Sequence, residues 1–275
     1  MSTQRTSHLE RTAQEPRDNS LLDVRLSRID QVNERIRLFR LRLESGPVEF
    51  SAGQWLDTYV PNNPKPGGFT ITSPPKAATD PDSPYFELAV QESPGNPPAA
   101  WLWQPPSTIL GSKLQVRVGG SFVFPPADIP LDEIRRVVFV AGGVGINPFA
   151  SMMGCIAEEG YQLDVKVLYS SKMPAQGLAG VLFLERIKSW FEEKKLLGDL
   201  KVFDTGGYDK REDKTGFDVL KRRFTLQDVK EAAYGLEKEC VVYVCGPAAM
   251  TDEIVDGLTR DGTMPKNRVM LEKWW

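Results

Sequence analysis

The chain has 275 residues, 41% hydrophobic and 26% charged, with 34 Lys and Arg against 37 Asp and Glu for a formal charge of −3. That length predicts two domains with ordinary globular cores, and the charge balance excludes a generally basic nucleic-acid binder. One histidine, His8, excludes histidine triads and multi-histidine metal centres; Cys155, Cys240 and Cys245 make neither a disulfide framework nor an iron–sulfur ligand set, so an organic cofactor has to carry any electrons.

Residues 1–20 are polar and are expected to form a disordered tail without the apolar core of a secretory signal. Arg5, Arg11 and Arg17 match a mitochondrial leader while Glu10, Glu15 and Asp18 oppose one, which leaves the compartment as mitochondrial or cytoplasmic. From 21 to 126 the pattern is strand-like. Leu22, Val24 and Leu26 alternate with polar residues, and the alternation resumes through Ile36, Leu38, Leu41 and Leu43. Further strands are predicted at 54–60, 69–72, 85–91 and 113–118, between Pro, Gly and Asn clusters. About six short strands with a helical insert at 98–104 predict a small antiparallel barrel. Pro125, Pro126 and Pro130 mark a linker over 124–132.

The rhythm changes over 131–275. An all-apolar run at 137–141 leads into a glycine turn and a helix at 148–158. A strand at 163–169, a long amphipathic helix at 178–195, strands at 201–203 and 241–245, a helix at 248–260 and a closing strand at 268–272 follow. Strands alternating with helices predict parallel βαβ units and a doubly wound sheet. The best apolar run, 137–150, is broken by Gly142, Gly143, Gly145 and Pro148 and falls short of the roughly 20 residues a membrane span needs.

Two motifs carry chemistry. In VVFVAGGVGINP, 137–148, a buried strand ends in Gly142, Gly143, Val144 and Gly145, then Asn147 and Pro148 open a helix. Glycines let a backbone approach a ligand and helix-terminal amides attract an anion, which suits the pyrophosphate of a dinucleotide, although the spacing is not that of Rossmann dehydrogenases. In VVYVCGPAAM, 241–250, a second buried strand ends at Cys245, Gly246 and Pro247, with Met250 following, at the carboxyl edge where open α/β sheets bind ligands. Cys245 is small and polarizable enough to touch a flat ring, while a lone cysteine is more often a packing thiol. Ser170, Ser171 and Lys172 end the second strand of this half; with no carboxylate there, they tilt toward the 2′-phosphate of NADP over the ribose hydroxyls of NAD.

These motifs, in this order, resemble the ferredoxin–NADP reductase superfamily (FAD-binding FR-type) over about 21–275. GGFTITS at 67–73, AGGVGINP at 141–148 and the ending LEKWW at 271–275 look specifically like the oxidoreductase NAD-binding domain-containing protein group. The resemblance implies an antiparallel flavin-binding barrel followed by a doubly wound parallel-sheet NAD(P)-binding domain, with FAD (or FMN) and NAD(P)H as cofactors. It implies that Phe69 packs on the isoalloxazine, that Thr70 presents its hydroxyl near N5, and that Ile71 and Thr72 complete the segment. Gly67 stands where the superfamily has a phosphate-neutralising arginine. At PPAAW, 97–101, the usual Ser or Thr is missing, which leaves Ala99 and Trp101 at the phosphate contact beside a Pro98 that cannot donate an amide. Thr70 and Glu272 would set polarity and hydrogen bonding around the reacting atoms, and the nicotinamide would lie between Cys245 and the flavin ring. Trp274, with Trp275 one residue beyond, would cover the flavin face where nicotinamide docks.

The expected activity is transfer of hydride from NAD(P)H to the flavin and on to an electron acceptor, a protein among the candidates. Hydride transfer needs no base, in agreement with the missing histidines. Two other readings stay open: a nucleotide-sensing or partner-binding protein with weakened flavin affinity, motivated by Gly67 and Ala99, and an electron-transfer subunit of a larger redox complex.

Overall fold

Alternation of apolar and polar residues builds the first half. In the computed structural model, which describes residues 8–206, 219–260 and 262–274, six antiparallel strands run as β1 (Leu22–Asn33), β2 (Ile36–Leu43), β3 (Trp55–Tyr59), β4 (Gly67–Thr70), β5 (Tyr85–Gln91) and β6 (Lys113–Gly119). They pair in the order β4-β3-β6-β1-β2-β5, and a bridge between Ile71 and Leu88 joins the two edges into a barrel. Along β6, Leu114, Val116 and Val118 turn into the core while Lys113 and Gln115 face water, the period of two that a one-sided strand requires. Phe39, Leu41, Leu56, Phe86 and Leu88 fill the barrel with no exposed surface.

Residues 8–20 correct the expectation of a disordered tail. His8–Arg11 form a short helix and Arg17 bridges Gly119 at the end of β6. The physical reason lies far along the chain: Asp57 on β3 is fully buried and takes hydrogen bonds from His8, Arg17 and Arg117. A buried carboxylate needs such partners, so the polar segment is drawn onto the barrel. Arg17 also lies over the Trp55 ring at 4.8 Å, and His8 meets that ring edge-on at 4.7 Å.

The second half is a parallel sheet of β7 (Arg136–Gly142), β8 (Asp164–Ser171), β9 (Leu197–Asp204), β10 (Val219–Leu220), β11 (Cys240–Pro247) and β12 (Val269–Trp274). Its order, β10-β9-β8-β7-β11-β12, reverses direction at β7, so the crevice past the carboxyl end of β7 is the topological switch point. Val137, Phe139, Val241 and Tyr243 pack one face against helices Asn147–Glu159 and Leu184–Glu192. Val138, Val140, Val242 and Val244 pack the other face against Leu226–Ala233 and Ala248–Thr259. Burial on both faces explains the continuous apolar runs.

Three elements differ from expectation. The long helix at 178–195 is instead a 3₁₀ turn, Gly177–Gly180, and a helix, Leu184–Glu192. The break falls at Phe183, whose backbone is left-handed at φ 59, after a run in which Val181, Leu182, Phe183 and Leu184 are all buried and so cannot share one helical face. The strand expected at 201–203 spans Leu197–Asp204, and helix Leu226–Ala233 was not foreseen. Among the described residues, no helix is long and apolar enough to cross a membrane.

The halves are stitched together along β5 and just after β4. Asn147 Nδ2 donates to the Ala89 carbonyl (3.0 Å), Ser151 Oγ to the Ser73 carbonyl (2.8 Å), and Arg186 makes a two-pronged bond to Glu87 (2.7 and 3.0 Å).

Candidate functional site

β7 runs out at Gly142 into a 3₁₀ turn, Gly143–Ile146, and then the helix Asn147–Glu159. Gly143 sits at φ +57 facing open space, and a Cβ on Gly145 would lie 2.1 Å from the Cys245 carbonyl oxygen. The turn therefore lies directly on the tip of β11 and presents backbone to the crevice. A cavity of about 570 Å³ opens there. Gly142, Gly143 and Val144 line it from the turn, Ser170, Ser171 and Lys172 from the end of β8, and Pro247 and Met250 from the end of β11 and the helix after it.

The same cavity brings in residues that sequence reasoning missed: Gln91 from β5, Thr205 after β9, Arg223 and Phe224 after β10, and Ala249, Glu253 and Ile254 on the helix after β11. Arg223 adds a second cation to the wall that holds Lys172. It had no signal of its own, standing in a polar run behind a two-residue strand. Five predicted residues lie elsewhere, Cys245 among them. Asn147 and Pro148 are buried, the Asn147 side chain bonded to the barrel; Gly145 and Gly246 lie behind the lining, Gly145 against Cys245 and Gly246 against Gly142 and Met250.

On β4 the register sorts the expected flavin residues onto two faces. Phe69 pairs with Leu56 and joins it in the barrel core, its ring packed over Gly67 and beside Pro98. The ring that the resemblance would pack on an isoalloxazine thus lies with the barrel core, as the strand's alternation places it. Ile71 and Ala99 are core residues of the same barrel, and Trp101 packs against them half-buried. Thr72 donates to the carbonyl and the side chain of Glu87 at 3.1 and 3.0 Å. The outward face of β4 belongs to Gly68 and Thr70, opposite Asp57 and Trp55.

Against that face lies a second cavity, about 490 Å³, walled by His8, Arg11 and Glu15, by Trp55, Gly68, Ser121 and Phe122, and by residues 270–273 of β12. The His8 ring covers Gly68 so closely that a Cβ there would lie 2.1 Å from it. Glu272 lines this cavity and sits across the ladder from Cys245. Burial first, and the charge of Glu15 second, push the Glu272 carboxyl up to about 8. Its Oε2 and the Oγ1 of Thr70 are both buried without a hydrogen-bond partner. Cys245 itself is fully buried in the core of the parallel sheet, and its thiol lines neither cavity. Trp274 ends β12 opposite Pro247; Trp275 lies outside the described residues.

The buried, unpartnered Oε2 of Glu272, in a cavity with the apolar walls of Trp55 and Phe122, fits the edge of a flavin ring, which offers donors and acceptors to such a group; Thr70 pairs with Trp55 across the ladder without lining that cavity. The phosphate end has fewer partners. Gly67 supplies no cation, and helix Pro97–Leu102 starts on two prolines with no side-chain cap. Among the described residues, no cluster of His, Cys, Asp or Glu could hold a metal ion.

The family model described as the oxidoreductase NAD-binding domain matches residues 139–256. A Xenopus laevis relative, oxidoreductase NAD-binding domain-containing protein 1, is 32% identical over 297 residues, covering 100% of this chain and 86% of its own. Among solved structures, a ferredoxin NADP+ reductase from Neisseria gonorrhoeae with bound FAD and NADP matches with a TM-score of 0.70 at 17% identity, over 94% of this chain and 100% of that one. The cytochrome b5 reductase domain of Ulva prolifera nitrate reductase matches with a TM-score of 0.70 at 16% identity, over 92% of this chain and 97% of that one. The fold they share with this chain is an antiparallel barrel joined to a parallel nucleotide-binding sheet.

Proposed function

Because the chain belongs to the oxidoreductase NAD-binding domain-containing protein 1 family, we propose that it is a flavin-dependent oxidoreductase that draws reducing equivalents from NAD(P)H and passes them to an acceptor outside the chain. The observation that carries this reading is the position of the β11 tip between two cavities. Pro247 lines the cavity of the glycine turn, while Glu272, paired with Cys245 two residues earlier on β11, lines the other.

The roles follow from the geometry. The 143–146 turn offers backbone to a pyrophosphate, and Ser170, Ser171, Lys172 and Arg223 favour a 2′-phosphate, hence NADPH. Thr70 and Glu272 would hold the edge of a flavin ring, and Trp55 and Phe122 would keep water from it. A flavin, when bound, supplies acceptance of a hydride and release of electrons singly or in pairs. At neutral pH Glu272 holds a proton and so presents an O–H to the cavity.

Anaerobic titration of FAD- or FMN-loaded protein with NADPH and with NADH tests this. The flavin absorbance should bleach with both and at lower concentration with NADPH. Protein that binds neither flavin overturns the reading; if it still binds NADPH, the nucleotide-sensing alternative, favoured by Gly67 and the Pro-Pro helix start, takes its place.

A further inference from the structure

The segment at the amino end brings a carboxylate to the Glu272 cavity that no motif in the chain announces. The Asp18 amide donates to the Val118 carbonyl and the Gly120 amide to the Pro16 carbonyl, both at 2.9 Å, so this stretch runs as a strap beside β6. Beneath it, Asp57 accepts from His8 Nε2 (2.9 Å), Arg17 Nε (3.0 Å) and Arg117 Nη2 (2.7 Å). Between these anchors Glu15 turns into the cavity, its Oε2 accepting from the Ser121 amide (3.0 Å) and hydroxyl (2.6 Å). Glu272 reaches the same cavity from β12 with its Oε2 buried and unpartnered.

We propose that Glu15, carried into the cavity by the strap, is a positioning residue of the redox site that acts through Glu272, and that the Asp57 cluster is the latch that keeps it there. The proposal rests on the flavin reading for its purpose but not for its test. Two carboxyls facing one cavity repel when both are charged. Ser121 gives Glu15 Oε2 two donors, whereas Glu272 Oε2 is buried with none, which favours the protonated form of Glu272. The other charged groups around the cavity are His8 and Arg11 on the strap and Lys273 on β12, the last paired with Asp252 at 2.5 Å. Arg17 and Arg117 are bonded to Asp57, and the Cys245 thiol stands across the ladder from Glu272. With the strap latched, the cavity offers a donor at Glu272; with it released, Glu272 ionises more readily and becomes an acceptor only.

Carboxyl NMR of the full chain, labelled at the glutamate side-chain carbon and with the Glu272 signal identified by its loss in Glu272→Gln, reads this with or without flavin. The wild-type midpoint is expected near pH 8. Glu15→Gln should move it toward acid by about half a unit or more, and Glu15→Asp should restore part of the shift. Asp57→Asn should move it in the same direction; if that variant does not fold, Arg17→Gln, which removes one of the strap's two bonds to Asp57 and leaves His8 and Arg117 on it, takes its place. An unmoved midpoint in Glu15→Gln of native near-UV circular dichroism overturns the proposal, and an unmoved midpoint in the latch variants overturns the latch. Failure to bind flavin would end the reading of the preceding section while leaving these midpoints to be read.

Discussion

At Gly67 the arginine expected from the ferredoxin–NADP reductase resemblance cannot simply be put in, because a Cβ there would lie 2.7 Å from the Phe69 ring and 2.8 Å from Pro98. Overpacking of this kind costs about 1–3 kcal/mol. Gly67→Arg should therefore lower the urea midpoint and leave FAD affinity, measured by calorimetry, no tighter than before. A lost charge-assisted hydrogen bond is worth roughly 1.5–3 kcal/mol, so flavin is expected to bind about one to two orders of magnitude more weakly than in proteins that keep the arginine. In the nucleotide cavity, Lys172 and Arg223 are the cations on the wall. Changing both to Gln should cut the NADPH-to-NADH ratio of affinities about tenfold, as the loss of roughly 1.4 kcal/mol requires. Asp57 carries a pH signature. Burial alone would raise its carboxyl, but hydrogen bonds from His8, Arg117 and Arg17 outweigh burial and hold it at about 2, against an ordinary 3.8. A depressed native pKa stabilises the fold above the unfolded value, and that contribution disappears as pH falls through the native one. Urea midpoints should thus drop between pH about 4 and about 2 in the wild type, and drop less in Asp57→Asn, which starts lower.

Between elements, the Arg186–Glu87 pair joins β5 to helix Leu184–Glu192. Glu87 is 9% exposed and its two oxygens are held by Arg186 and Thr72, so Arg186→Ala leaves a nearly buried carboxylate short of donors. That variant should lose about 1.5–3 kcal/mol in urea unfolding. This contact was illegible beforehand, because nothing local ties residue 87 to residue 186. What was legible were the strands, since alternation in β1, β2 and β6 and unbroken apolar runs in β7 and β11 each report how many faces a strand buries. The helix after Thr225 does carry a signal, the reciprocal capping box of Thr225 and Asp228, but its 8 residues are too few for apolar periodicity to show. Phe69 shows the opposite limit. A family motif located the segment, but pairing with Leu56 decided which way its side chain turned. The strap was hidden for a third reason: polarity reads His8 and Arg17 as solvated, and only the fold brings Asp57 beneath them.

Over the whole molecule, the reversal of strand order at β7 places the glycine turn, the β8 end and the β11 tip at one crevice, with the barrel facing it through Gln91. A ligand there binds the folded state alone. NADPH at a hundredfold excess over its Kd should add about 2.7 kcal/mol of stability, seen as a rise in melting temperature that the Lys172, Arg223 double change diminishes at the same concentration. The Glu272 cavity is built differently, from residues 8–15 at one end of the chain and 270–273 at the other. On the ribosome, the strap and barrel emerge first and β12 last, and domains fold in that order. Until the final strand arrives, Trp55 and Phe122 lack that wall and face solvent. The cavity thus works as a test of completeness: a chain cut short before β12 keeps the lining of the glycine-turn cavity but leaves this one without its β12 wall.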